Sequence, residues 1–278
     1  MIEFWIADLM SEETVFSVPC SLGAWEFQRR ADYVALVEKM EEGQCAPTYY
    51  ASNEAIIRNT PDDDVSKAIS DMIDTCLILS FINACCVTVR GTTGQSDAQF
   101  IQLGDQFIRP RAIRGFRKLD IQQSFANFFA RGFSSISQHF DARRVRLFLS
   151  HWISGLTCFS MEDLFLSIGV QMDIVKQCEI VACDRSLTYY DGMVSASTRY
   201  GIAPISDDYK KMRNDIVHYG SLSSRNFANK NKEECSVVIA DSLNWIDKYV
   251  SSILGITPKE TRWRAKEIEN SLPALSII

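Results

Sequence analysis

The chain has 278 residues, 46% of them hydrophobic and 23% charged, enough to bury one large or two modest cores and too apolar for a disordered or collagen-like chain. Its formal net charge of −6 excludes a broadly basic nucleic-acid binder. The acidity lies in residues 1–135, with 12 Lys and Arg against 18 Asp and Glu, whereas residues 136–278 hold 17 of each, so an RNA partner has to be met by a local positive groove and not by the field of the whole molecule.

The N-terminus, Met1-Ile2-Glu3-Phe4-Trp5-Ile6-Ala7-Asp8, lacks a basic segment and carries early acids, which is not the pattern of a signal peptide. Residues 3–9 and 14–19 are predicted strands from their aromatic and β-branched content. Residues 29–42 are a predicted helix with Tyr33, Leu36, Val37 and Met40 on one face. Thr60-Pro61-Asp62-Asp63-Asp64 reads as a helix start, with threonine as cap, proline in first position and acids in the first turn; that helix runs to about Asn83. The apolar run 77–89 is interrupted by Ser80, Asn83 and Thr88 and is too short to span a bilayer. A cytoplasmic protein with no membrane partner is therefore expected.

Residues 87–90 and 98–108 are predicted strands around the turn Gly91-Thr92-Thr93-Gly94, which lacks the lysine of a phosphate loop. The most basic window follows: Arg109, Arg111, Arg114, Arg117 and Lys118, interleaved with Phe107, Ile113 and Phe116. It reads either as an RNA-binding patch or as a basic connection between domains. From about Gln122 the pattern turns helical. One helix is predicted over 143–166, with Val145, Phe148, Leu149, Trp152, Ile153, Leu156 and Phe159 at helical spacing, a second over 170–183 and a third over 186–200. Ser206 caps a fourth over 207–219, with Asp207 and Asp208 in its first turn and Gly220 as the stop. A fifth spans 233–254, and the tail after Pro258 is weakly patterned. The expected fold class is α+β: a mixed domain over 1–135, then an all-α bundle over 136–278.

Nine cysteines without a CxxC pair, several inside apolar runs such as Cys85-Cys86, read as free buried thiols of a reducing compartment. Three scattered histidines and no paired cysteines cannot supply zinc-ligand spacing, so no metal and no cofactor is expected. His139 and His151, in aromatic-rich segments, read as structural. No nucleophile elbow, zincin motif or dinucleotide fingerprint is present, which leaves chemistry that histidine, arginine and acids perform alone.

Such chemistry concentrates in Lys210-Lys211-Met212-Arg213-Asn214-Asp215-Ile216-Val217-His218-Tyr219-Gly220. On a helical wheel Tyr209, Met212, Ile216 and Tyr219 form an apolar stripe that docks on the bundle. Asn214 and His218, at i and i+4, share a face and are placed to hydrogen-bond; Arg213 sits beside that face. These groups fit RNA cleavage, in which a 2′-hydroxyl loses a proton and attacks the adjacent phosphate. Histidine moves protons near neutrality, a guanidinium holds charge on the phosphorane oxygens, and an amide orients the imidazole. The plain alternative is a histidine that merely complements the negative end of a helix.

Arg-Asn-Asp-Ile-Val-His-Tyr-Gly, residues 213–220, resembles the signature of HEPN domains, helical bundles marked by Arg-x(4–6)-His with a polar residue after the arginine. The aliphatic pair before the histidine and the glycine after it resemble the ApeA-like branch. Upstream, Ser160-Met161-Glu162-Asp163-Leu164-Phe165 is similar to the early helix on which ApeA-like domains carry an acid that supports the motif arginine. The resemblance covers about residues 136–255. It implies a homodimer with two motif helices facing each other, and a metal-independent endoribonuclease leaving a cyclic phosphate and a 5′-hydroxyl, in a toxin or antiphage defence setting. An RNA substrate and an antitoxin or trigger protein are the partners it implies. Arg213 would then stabilise the phosphate, His218 move protons, Asn214 orient and Glu162 support Arg213. HEPN toxins silenced by a nucleotidyltransferase are modified on a tyrosine two residues after the histidine; here Tyr219 follows His218 directly, which argues against that regulation. The second reading is a non-catalytic HEPN module that binds RNA or protein.

Overall fold

The computed structural model describes residues 2–57, 59–92, 118–130 and 143–277, and these fall into two compact units, 2–130 and 143–277. The first is mixed α+β. Strands β1 (Ile2–Ala7), β2 (Val15–Pro19), β3 (Ala24–Arg29), β4 (Pro47–Asn53) and β5 (Thr88–Thr92) form one antiparallel sheet in the order β2-β3-β4-β1-β5. Residues alternate along each strand, so Phe4, Ile6, Phe16, Val18, Trp25, Phe27, Tyr49 and Ala51 are buried while Trp5, Glu26 and Gln28 face solvent. Helix α1 (Tyr33–Glu41) leads into β4, and the longer α2 (Asp62–Asn83) receives the Trp25 indole N–H on the Ala68 carbonyl. Helix α3 (Phe125–Ala130) packs Phe125 and Phe129 on Phe16 of β2.

Several expectations are corrected here. Arg29 ends β3 and does not begin a helix: its amide donates to the Thr14 carbonyl, and Arg30 N–H donates to Thr48, so the backbone is still held along the sheet. The helix begins at Tyr33. Thr60 does not cap α2; its hydroxyl accepts from the Ile57 amide, and Pro61 occupies the cap position before Asp62, Asp63 and Asp64. Gly91 and Thr92 belong to β5, paired with Trp5 and Phe4, not to a turn. The predicted strand over 98–108 lies outside the described residues.

The second unit is all helical among the described residues: α4 (Val145–Gly155), α5 (Met161–Cys183), α6 (Tyr189–Tyr200), α7 (Asp207–Tyr219), α8 (Lys232–Leu254) and α9 (Ala265–Ser271). The two 23-residue helices α5 and α8 pack on each other and take the shorter ones around them. The single helix expected over 143–166 is two. Leu156, Thr157 and Cys158 close short turns back onto Ile153, Ser154 and Gly155, and Ser160 restarts the chain as a cap whose hydroxyl accepts from Asp163 N at 3.1 Å. Helix α5 then runs unbroken through Gly169. Helix α6 is capped by Thr188 and begins three residues later than expected. Helix α8 opens with a reciprocal capping box between Asn231 and Glu234.

The tail after Pro258 is anchored at several points. Arg262, 7% exposed, grips Asp247 of α8 through Nε at 2.7 Å and Nη2 at 2.8 Å, and the Trp263 indole donates to the same carboxylate. The Met161 amide donates to the Pro273 carbonyl. A second buried carboxylate, Glu179, binds Arg143, Arg199 and the Ser195 hydroxyl. Charges this deep persist only when paired.

Candidate functional site

Helix α7 is built as its sequence dictates. The Ser206 hydroxyl accepts from the Tyr209 amide, Asp207 and Asp208 complement the positive helix end, and Gly220 at φ +69° makes the left-handed turn that ends it. Tyr209, Met212 and Ile216 are buried, and each contributes about 1.5–3 kcal/mol of apolar burial to docking the helix. Tyr219, expected to continue that stripe, is 46% exposed. It is the last helical residue, and what lies over its ring is the Arg225 guanidinium, 4.9 Å from the centroid.

The motif residues occupy the solvent side. His218 is exposed, its ring 6.3 Å from that of Tyr219 at 63°. Arg213 and Asn214 are half-buried. Asn214 and His218 are not hydrogen-bonded, although their spacing permits it. Arg213 and His218 are five positions apart, about 140° around the axis and about 7.5 Å along it, so they stand on opposite flanks of the exposed face with Asn214 between. Within one chain no hydrogen bond joins the three side chains.

Arg213 is held by the tyrosines that open α6 and not by an acid. Its guanidinium carbon lies 4.0 Å from the Tyr189 ring centroid, at the start of α6. Tyr189 in turn shares a 2.5 Å hydrogen bond with the buried Tyr209 hydroxyl, and Tyr209 packs edge-on against Phe165 of α5. Burial pushes the Tyr189 hydroxyl up to about 12 against the opposing pull of Tyr209 and Arg213, and pushes Tyr209 well above its ordinary value. Both therefore remain neutral at physiological pH. Among the described residues no carboxylate pairs with Arg213.

Glu162 does not support Arg213. Its Oε1 accepts from the Leu275 amide at 2.9 Å, the Ser276 amide at 2.9 Å and the Ser276 hydroxyl at 2.7 Å. The acid at the start of α5 thus clasps the chain's last residues. Burial alone would raise its carboxyl, but these donors outweigh burial and hold it below the ordinary range. Ser276 also receives the Leu222 amide on its hydroxyl, which ties the same clasp to the segment just past Gly220.

Asp215, inside the motif, was not anticipated as a site residue. It is fully buried and accepts from the Ser224, Asn226 and Phe227 amides and from Asn226 Nδ2, at 2.7–3.1 Å. Burial pushes its carboxyl up, and the Asn226, Phe227 and Ser224 donors more than reverse this, leaving it lowered. The signal was an acid between Met212 and Ile216 on the inward side of the wheel. This anchor fixes the loop that brings Arg225 over Tyr219. On the other flank Lys210 lies 4.8 Å from the Tyr190 ring centroid.

Of the basic window, Arg109, Arg111, Arg114 and Arg117 lie outside the described residues, and Lys118 is exposed. His139 is also outside them. His151 is exposed on α4, not a structural core residue, because the inward positions of that helix are taken by Phe148, Leu149, Trp152 and Ile153. None of the nine cysteines forms a disulfide, and burial pushes the Cys76 and Cys235 thiols up to about 12. Among the described residues no three His, Cys, Asp or Glu side chains gather as a metal site would require, and no helix is long and apolar enough to cross a membrane. No family model matches the chain, and no curated protein or solved structure matches it either.

Proposed function

We propose that the chain is a metal-independent endoribonuclease of HEPN type, acting on RNA as a homodimer in a toxin or antiphage defence role. The N-terminal unit would sense the trigger or select the substrate. The observation that carries this reading is the pairing, on one helix, of a solvent-facing imidazole with a guanidinium that no carboxylate among the described residues neutralises. In the reaction the 2′-hydroxyl gives its proton to an imidazole and its oxygen attacks the adjacent phosphorus. The bond from phosphorus to the 5′-oxygen breaks, and that oxygen takes a proton from an imidazolium. Arg213 offers in-plane N–H donors to the charge that builds on the phosphoryl oxygens. Because Arg213 and His218 occupy opposite flanks of α7, a second motif helix facing the first would surround one phosphate with both groups and supply both a base and an acid.

The lack of a hydrogen bond among Arg213, Asn214 and His218 within one chain favours a second reading, an RNA- or protein-binding module without catalysis. Cleavage of single-stranded RNA by the wild type, His218→Ala and Arg213→Ala separates the two. The endoribonuclease predicts loss in both variants, with His218→Ala melting as the wild type does. Equal cleavage by all three contradicts it.

A further inference from the structure

Three cation–ring pairs border α7: Lys210 with Tyr190, Arg213 with Tyr189, and Arg225 with Tyr219. The last stands beside His218. A phosphate handled by His218 lies near the helix C-terminus, whose partial negative charge repels it. Arg213 of the same chain is on the far flank, and in the proposed dimer the facing helix commits its own arginine to the scissile phosphate, so a neighbouring phosphate needs another cation. The loop fixed by Asp215 supplies one. Arg225 is exposed, and among the described residues it forms neither an ion pair nor a hydrogen bond. A cation–π contact uses none of the guanidinium's N–H donors as hydrogen bonds, which leaves them for a phosphate. Tyr219 has Arg225 over its ring and the His218 ring near it, yet keeps nearly half its surface in water.

We infer that Tyr219 and Arg225 form a nucleotide subsite of the proposed endoribonuclease, taking one unstacked residue of a single-stranded RNA. The base lies on the open side of the tyrosine ring, and a phosphate flanking the scissile one lies on Arg225. Asp215 is the positioning residue: it touches no ligand and sets where Arg225 stands. A base still paired in a duplex cannot reach the ring, so the subsite selects single strands.

The test is binding of a fluorescent, fully 2′-O-methylated oligoribonucleotide to the full chain, read by anisotropy. That probe lacks the attacking hydroxyl, so the readout is independent of catalysis. Tyr219→Ala should weaken binding about five-fold or more, the loss expected for one stacked base, whereas Tyr219→Phe keeps the ring and stays within about two-fold. Arg225→Ala should lower the salt dependence of binding by about 0.7 in log–log slope, one phosphate's worth on a single strand. A duplex of the same sequence should compete poorly. Wild-type affinity in Tyr219→Ala with an unchanged slope in Arg225→Ala, both variants melting normally, overturns the subsite; so does a wild type that binds no single strand. A wild type that binds in the expected pattern yet cleaves no RNA upholds the subsite and overturns the endoribonuclease.

Discussion

Asp215→Asn tests how the site is held. The carboxylate receives three backbone N–H donors and one side-chain amide, and a hydrogen bond to a charged group contributes about 1.5–3 kcal/mol. Asparagine keeps the volume but turns one acceptor oxygen into a donor. At least one loop N–H then loses its acceptor, and the others lose the charge they bond to. A cost of about 3 kcal/mol follows, a large share of the roughly 5–15 kcal/mol that holds a domain folded. For a unit of this size it lowers the melting temperature by about 6–12 °C. Where the loop detaches instead of the unit unfolding, the melting shift shrinks, but exchange of the Ser224, Asn226 and Phe227 amides accelerates. Thermal melting combined with hydrogen exchange by mass spectrometry reads both. A melting point within about 1 °C of the wild type, together with unchanged exchange in 224–227, would refute the argument that Asp215 anchors this loop.

His218 is exposed and makes no hydrogen bond among the described residues, so His218→Ala should change stability by less than about 0.5 kcal/mol while abolishing RNA cleavage; parallel melting and cleavage assays check the two effects. Arg262→Ala leaves the buried Asp247 carboxylate without its cation and should cost about 3–5 kcal/mol, measured by urea unfolding. Glu162 and Asp215 both have lowered carboxyl pKa values. Their stabilisation is therefore complete above the ordinary carboxyl pKa of about 4 and is lost as pH falls through the depressed values. Protection of the amides near residues 275–277, taken relative to the intrinsic exchange rate at each pH, should stay flat from pH 7 to about pH 5 and fall below about pH 4; in Glu162→Gln that protection should already be low at neutral pH.

The parts of the fold legible in the sequence are those whose causes are local. Helix α7 announced itself because its cap at Ser206, its stop at Gly220 and its buried Tyr209, Met212 and Ile216 all lie within fifteen residues. The same wheel misplaced Tyr219, since it assumes that the core continues to the last helical residue. The break after Gly155 was hidden because apolar spacing persists through Leu156 and Phe159; Phe159 is 85% exposed, and the informative mark was Ser160 with Asp163 three residues on. Strand β3 alternates Trp25 and Phe27 with Glu26 and Gln28 and could have been read, whereas its helical assignment at Arg29 ignored pairing with distant strands.

In the site, the exposure of His218 followed from the wheel, but the partners of its neighbours did not. Arg213 meets Tyr189, 24 positions earlier; Glu162 meets Ser276, 114 positions later. An acid's charge is visible in the sequence, while the donor that satisfies it is chosen by tertiary packing. The tail after Pro258 looked unpatterned for the same reason, because Arg262 finds Asp247 only once α8 is folded.

The most direct test of the endoribonuclease is the chemistry of its product ends. Purified wild type is incubated with a defined single-stranded RNA in excess EDTA, and the fragments are identified by mass spectrometry. Fragments ending in a 2′,3′-cyclic phosphate and beginning with a 5′-hydroxyl are the predicted result, since only attack by the neighbouring hydroxyl produces them. Fragments with 3′-hydroxyl and 5′-phosphate ends, or cleavage that EDTA abolishes and magnesium restores, would contradict the account.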